Sequence, residues 1–221
     1  MTNAEKFYDA VMRLPIVAYQ LFLILRELSA IRRLVGFHPY FGGDWPFLLS
    51  IAARVAVVIF ISAILLLSIS RLRPVGKYSS WNPKITALLG TFFAYLLLLT
   101  PRSPSDVLWD GLSTVLILIG TTMAILAVLE LGRSMSIMPE ARKLVTGGLY
   151  VRIRHPLYLA EEIAVLGFCL QFRSWQAVPI LAVHLYLQIR RMDWEERILA
   201  KAFPGYAAYK QRTCRLVPGL Y

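Results

Sequence analysis

The sequence predicts an all-α fold: a polytopic membrane bundle of five or six helical spans. Three observations carry that reading. Over 221 residues, 57% of the side chains are hydrophobic and the mean hydropathy is +0.59, too apolar for an ordinary soluble domain and short enough for a single one. The apolar residues come in long runs joined by short polar links. Basic residues gather in alternate links: 24 Lys and Arg stand against 13 Asp and Glu for a net charge of +11. In a membrane chain such an excess marks cytoplasmic loops and anionic headgroups, and it does not call for nucleic acid.

The earliest run, residues 14 to 25, holds about a dozen apolar positions between Arg13 and the Arg26-Glu27 pair, so it either spans or lies in the interface. No small-residue cleavage pattern follows it, and the segment is expected to stay. Residues 47 to 70 are apolar apart from Arg54. That length spans a bilayer, which needs about 20 residues, and Arg54 is expected to snorkel or to pair with Asp110 or Glu130. His38 reads as a loop residue. Residues 85 to 100 form a shorter run, joined through Pro101-Arg102-Ser103-Pro104 to a full span over 107 to 131; so tight a turn predicts an antiparallel hairpin. Residues 157 to 172 and 175 to 189 form a second hairpin across Phe172-Arg173-Ser174-Trp175, with Trp175 as an interfacial anchor. Cys169 and Cys214 offer neither a structural disulfide nor zinc-ligand spacing.

Loop charge orients the bundle. Residues 71 to 84 carry Arg71, Arg73, Lys77 and Lys84 and no acid, whereas residues 101 to 110 carry one Arg and two Asp. The first of these loops should be cytoplasmic. Counting onward places residues 132 to 156 and the tail after Arg190 on the same face.

Two polar clusters fall on that face. The first is Gly148-Leu149-Tyr150-Val151-Arg152-Ile153-Arg154-His155-Pro156-Leu157-Tyr158. Pro156 suits the first turn of a helix, which leaves His155 near the cap. The free N–H groups and positive dipole end there, with Arg154 and His155 beside them, make a seat for a carboxylate or phosphate. Tyr158 and Glu162 share a face, and Glu161 and Glu162 either join the site or decorate the first turn. The second cluster is Asp193-Trp194-Glu195-Glu196, flanked by the four-residue pairs Arg191 with Glu195 and Asp193 with Arg197. The aromatic turn Phe203-Pro204-Gly205-Tyr206, with Tyr209 and then Val217-Pro218-Gly219, predicts a tail that folds back. His184, within the last apolar run, is expected to bond a neighbouring helix. Tyr150 and Arg152 are candidates for an entrance lining or a headgroup anchor.

These residues resemble the integral-membrane methyltransferases that include isoprenylcysteine carboxyl methyltransferases and phospholipid N-methyltransferases. The resemblance covers roughly residues 130 to 221. It rests on Leu131-Gly132-Arg133-Ser134 leading to Pro139, on Gly148-Leu149-Tyr150, on Arg154-His155-Pro156-Leu157-Tyr158, on Glu195-Glu196, and on the tail from Phe203 to Pro218. It implies S-adenosyl-L-methionine held between the two clusters, with the C-terminal segment completing the site, and a lipid-like substrate entering from the bilayer. His155, Tyr158, Glu195, Glu196 and Tyr150 are then cofactor contacts. Arg154, as holder of a carboxylate, and Glu196 are the catalytic pair. The partners implied are a membrane lipid or lipidated small molecule and the bilayer itself, and residues 131–221 would be the catalytic region behind N-terminal membrane helices 1–130. The chain has no G-x-G, which sets it nearer the isoprenylcysteine enzymes. Membrane sterol reductases, which bind NADPH, resemble the same segment but carry Asn before the Tyr, where this chain has Leu157. A non-catalytic lipid-binding protein would explain the charge but not the two clusters.

Overall fold

The computed structural model describes residues 3–36, 44–101, 103–104 and 106–219; His38 and Arg102 of the first hairpin turn lie outside them. The described residues form two compact units, Met1–Arg71 and Leu72–Tyr221.

The first unit is a pair of long helices, α1 (Asn3–Gly36) and α2 (Asp44–Ile69), packed on each other. The run at 14 to 25 is only the middle of α1. The stretch Arg13–Gly36 is 24 residues long and apolar enough to cross a membrane. Arg26 and Glu27 continue the helix because their charges are paired within the unit. Glu27, 7% exposed, accepts from Arg26 Nη2 and from Arg54 Nη1 of α2, each at 2.8 Å. Arg54 therefore meets Glu27, and the expected pairing with Asp110 or Glu130 is replaced. A charge inside an apolar helix pair needs such a partner. One residue before the end of α2, Ser68 Oγ accepts from the buried Gln20 Nε2 at 3.4 Å.

The first helix of the second unit is α3 (Asn82–Phe92), with Pro83 in its first turn, which tightens into a 3-10 helix over Phe93–Leu99. After the turn comes α4 (Val107–Leu131), capped by Asp106, whose carboxylate accepts from the Leu108 and Trp109 N–H groups at 3.0 and 3.1 Å. Helix α5 (Pro156–Phe172) ends where Arg173 takes a left-handed conformation (φ 41°). Helix α6 (Ala177–Ala202) and the short α7 (Tyr206–Gln211) complete the unit. Asn82–Leu99 and Val107–Ser134 are also long and apolar enough to cross a membrane, and Val57–Ile69 is a shorter apolar helix. Helix α6 does not stop where the apolar run ends near residue 189. No Gly or Pro stands between Pro179 and Pro204, so the helix continues through the change from apolar to charged sequence and carries the second polar cluster on its last turns.

Packing of α5 on α4 depends on small residues. A side-chain carbon at Gly120 would stand 2.6 Å from the Ala164 nitrogen, and one at Gly167 would stand 2.8 Å from Ile117. Ser113 Oγ donates to the Gly167 carbonyl at 2.8 Å. The two backbones approach closely because nothing larger lies between them, as in many membrane helix pairs. Farther along, buried His184 of α6 places Nε2 3.2 Å from Glu162 Oε1 of α5, beside the neighbouring helix as expected but without a hydrogen bond to it, and Gln188 Nε2 of α6 donates to Glu161 Oε2 at 2.7 Å. Glu161 thus ties α5 to α6 and does more than decorate a first turn.

Two short pairings fix the link regions. A two-residue antiparallel ladder joins β1 (Gly76–Lys77) to β2 (Glu140–Ala141). The tail returns to the start of α5: Arg154 N–H donates to the Cys214 carbonyl at 2.8 Å, His155 N–H to Arg215 at 3.1 Å, and Cys214 N–H to Arg152 at 2.9 Å. Both cysteines are free thiols.

Candidate functional site

The entry to α5 is held by Glu130. Its carboxylate accepts the Leu149 N–H at 2.8 Å and lies where a side chain on Gly148 (φ 56°) would have to go. Only glycine fits that position, by both conformation and space. The turn delivers Tyr150 to the interior, 6% exposed, with its carbonyl accepting from Tyr209 Oη at 2.8 Å. Pro156 then opens α5, and His155 sits at the cap without a capping hydrogen bond of its own.

The two sequence clusters meet. Tyr158 donates its hydroxyl to Glu195 Oε1. His155 stands edge-on to the Tyr158 ring at 5.4 Å, with Nδ1 4.0 Å from Glu195 Oε2 and Nε2 3.3 Å from Glu196 Oε1. Arg191 lies over the Tyr158 ring, 4.7 Å from its centre, and donates to Gln188 Oε1 at 2.9 Å.

Glu195 and Glu196, adjacent in sequence, serve different surroundings. About 100° separates successive residues on a helix. Glu195 lines a cleft of about 860 Å³, mouth included, together with Tyr150, Arg154, His155, Tyr158, Arg191, Tyr206 and Tyr209. Glu196 turns instead toward the tail. It is surrounded by Arg154 Nε at 3.1 Å, His155 Nε2 at 3.3 Å, Lys210 Nζ at 2.7 Å and Arg215 Nε at 3.3 Å. Burial works to raise its pKa, but hydrogen bonds from His155, Lys210 and Arg154 outweigh it and hold the carboxyl well below the ordinary glutamate value. The anion seat expected at the head of α5 is thus occupied by a carboxylate of the chain itself. Arg154 also gives Nη1 to the carbonyls of Lys210 (3.0 Å) and Thr213, so it ties down the tail while lining the cleft.

The aromatic wall is apolar in character and stays protonated. Burial, then the nearby Glu195, pushes the Tyr150 phenol far up. Burial and then Glu196 do the same for Tyr206, while burial, partly offset by Arg154 and Arg212, takes Tyr209 up to about 12. The Tyr206 hydroxyl, 2% exposed as a residue, has no hydrogen-bond partner among the described residues.

The structure adds cleft residues that the sequence did not single out, among them Ser136, Glu140 and Arg142 from the link between α4 and α5. An acid and a base two apart in a non-helical segment carry no periodic signal. The expected α6 ion pairs rearrange as well. Asp193 meets Arg215 of the tail at 2.5 Å, Arg197 lies over the Trp194 ring at 5.1 Å, and Arg191 turns to Tyr158. Arg152 is exposed.

Residues 110–205 match the phospholipid methyltransferase family model, although the chain lacks a G-x-G. Two metal-resistance proteins are similar over their shared segment: the cobalt-zinc-cadmium resistance protein CzcN of Cupriavidus metallidurans, 32% identical over 117 residues, and the nickel-cobalt-cadmium resistance protein NccN of Alcaligenes xylosoxydans xylosoxydans, 29% identical over 125. The matched segments cover 51% and 56% of this chain, and 54% and 58% of those relatives, little more than half their length. In fold, the whole chain is similar to the eukaryotic intramembrane Ras methyltransferase, isoprenylcysteine carboxyl methyltransferase: TM-score 0.52, 16% identity, covering 100% of this chain and 99% of the other. The chain is thus similar to the phospholipid methyltransferase family over residues 110–205 and to isoprenylcysteine carboxyl methyltransferase in its fold.

Proposed function

We propose that residues 131–221 form the catalytic region of an S-adenosyl-L-methionine-dependent methyltransferase. In this reading it acts at the cytoplasmic membrane face on a lipid-like or prenylated substrate, at a carboxylate. The observation that carries the reading is the cleft where the Tyr158-to-Glu195 hydrogen bond joins the two sequence clusters.

The donor set fits the cofactor. S-adenosyl-L-methionine brings a sulfonium, an ammonium, a carboxylate and two ribose hydroxyls, and it supplies an already activated methyl group. The cleft offers the carboxylate of Glu195, the aromatic faces of Tyr150 and Tyr158, the His155 ring and an unpartnered Tyr206 hydroxyl, which are the partners that cations, hydroxyls and a purine require. His155, Tyr158, Glu195 and Tyr150 are proposed as contacts. Methyl transfer is an in-line displacement, so orientation and exclusion of water supply much of the rate. A carboxylate nucleophile needs no base. Arg154, with Arg191 nearby in the cleft wall, would hold it by charge-assisted hydrogen bonds. Glu196 acts from behind the wall as a positioning residue that orients Arg154 and His155. No metal role is proposed; among the described residues no three His, Cys, Asp or Glu side chains gather to hold an ion.

Calorimetric titration of the detergent-purified protein tests the proposal. Saturable binding of S-adenosyl-L-methionine, weakened at least tenfold in Glu195→Gln, is the expected result. Binding of NADPH alone would replace it with the reductase reading, and binding of neither by folded protein would leave a lipid-binding scaffold. Methyl incorporated from labelled cofactor should be released by mild alkali as methanol if the product is an ester; alkali-stable label would mean an amine acceptor.

A further inference from the structure

A chain of buried polar groups runs from Tyr158 to Glu161, and the proposed chemistry uses only one end of it. Gln188, Arg191 and Glu195 fall three and four residues apart, on one face of α6. Gln188 is 0% exposed, and both ends of its amide are engaged. Nε2 donates to Glu161 Oε2 of α5 at 2.7 Å, and Oε1 accepts from Arg191 Nη1 at 2.9 Å. These partners fix the amide in one orientation, because a guanidinium can only donate and Glu161 accepts. The same Glu161 oxygen lies 3.9 Å from Arg191 Nη1 and so places an acid near the buried cation. Arg191 in turn lies over the ring of Tyr158, whose hydroxyl donates to Glu195. Helix α3, packed on α6, leaves a gap for this arrangement: a side-chain carbon at Gly90 would stand 2.5 Å from Arg191 Cδ and 3.4 Å from Gln188 Oε1.

We infer that Gln188 is a positioning residue of the site: it acts through Arg191 to hold the Tyr158 ring where its hydroxyl meets Glu195, with Glu161 and the gap at Gly90 as its supports. The inference rests on the methyltransferase reading and deepens it. Gln188 itself touches no ligand in this account. A buried guanidinium that loses its acceptor must turn toward another partner. Tyr158 would then lose the cation over its face, and Glu195 the donor that keeps its carboxylate on the cleft wall. Cofactor affinity depends on such support, since an acid left loose in the free protein must be ordered at each binding event. A lone Gln between Leu187 and Ile189 carries no sign of this in the sequence.

Calorimetric titration of the detergent-purified protein with S-adenosyl-L-methionine tests this, because it reads the affinity of the folded molecules and the fraction that binds as separate quantities. Gln188→Leu removes both hydrogen bonds at similar volume, and affinity is expected to fall at least tenfold. In E161Q/Q188E the amide and the carboxylate exchange places, so each polar contact can form again, and affinity should return to within threefold of wild type. Gly90→Ala changes no polar group and favours α3 itself. An affinity lowered at least fivefold in that variant reports a displaced Arg191, and it carries the test where Gln188→Leu does not fold. A purely structural role would lower the binding fraction and the unfolding midpoint while the folded molecules kept wild-type affinity. That result in either single variant would overturn the inference, as would an exchange variant that binds no better than Gln188→Leu. Wild-type protein that does not bind S-adenosyl-L-methionine would instead overturn the methyltransferase reading itself, and the inference with it.

Discussion

Glu195 and Glu196 show how far residue identity can go. The pair was singled out as a candidate site element by the family resemblance, but adjacent helical positions look identical in a sequence. Tertiary contacts separate them: one oxygen of Glu195 takes the Tyr158 hydroxyl, while Glu196 is enclosed by four basic groups. The two substitutions should therefore differ in kind. Glu196→Ala leaves Arg154 and His155 without their shared anion and should cost about 3 kcal/mol of stability, the scale of a broken buried pair, read as a fall in the midpoint of thermal unfolding in detergent. Glu195→Gln should leave that midpoint nearly unchanged and affect binding. The Glu196 carboxyl is held below its ordinary value of 4.5. A depressed folded-state pKa contributes stability that is present above the unfolded value and is lost as pH falls toward the folded one. Unfolding midpoints should therefore hold above about pH 4.5 and drop below it, and Glu196→Gln should flatten that acid limb.

At the scale of elements, the spans and the hairpin of α5 and α6 were readable because apolar length and turn chemistry are local properties. The hairpin expected between residues 85 to 100 and 107 to 131 does not form among the described residues: α3 packs on α6 and α4 on α5, since a tight turn fixes the order of two helices and not their partners. Two further features were not legible. The uninterrupted α6 runs through a change of polarity that reads as a boundary, because helix propagation responds to Gly and Pro and not to charge. The α4 and α5 seam depends on Gly120 and Gly167, 47 residues apart, whose partners only the packed pair reveals. Gly120→Ala places a methyl carbon against the Ala160 carbonyl and Ala164 nitrogen at 2.7 and 2.6 Å, which backbone cannot yield cheaply. Overpacking of that kind should cost about 1–3 kcal/mol, whereas Gly111→Ala, with open space around it, should stabilise α4 slightly or leave it unchanged. Equal midpoints for the two variants would remove the seam from the account.

At the scale of the whole molecule, the tail decides whether a site exists. Cys214 and Arg215 accept the N–H groups that lead into α5, Thr213 and Lys210 hold Arg154, and Leu216 packs with Tyr158 and Met192. Truncation after Gln211 should leave helical circular dichroism nearly intact, since it removes no helix, and abolish S-adenosyl-L-methionine binding. Retained binding would show that the clusters on α5 and α6 assemble without the tail. The return of the tail was anticipated from its aromatic turn, but its docking partner was not, because a short parallel bridge between residues 153 and 214 leaves no pattern in composition.

From the sequence alone came the helical membrane class, the second hairpin, the family resemblance and the identity of both polar clusters, since each depends on local composition or on a motif read in order. Only the tertiary structure decided which glutamate faces the cleft, which charges neutralise one another and that α3 packs on α6 while α4 packs on α5. Those are properties of side-chain direction and of distance between segments far apart in the chain, and in a low-dielectric interior it is the pairing of charges that determines where each can stand.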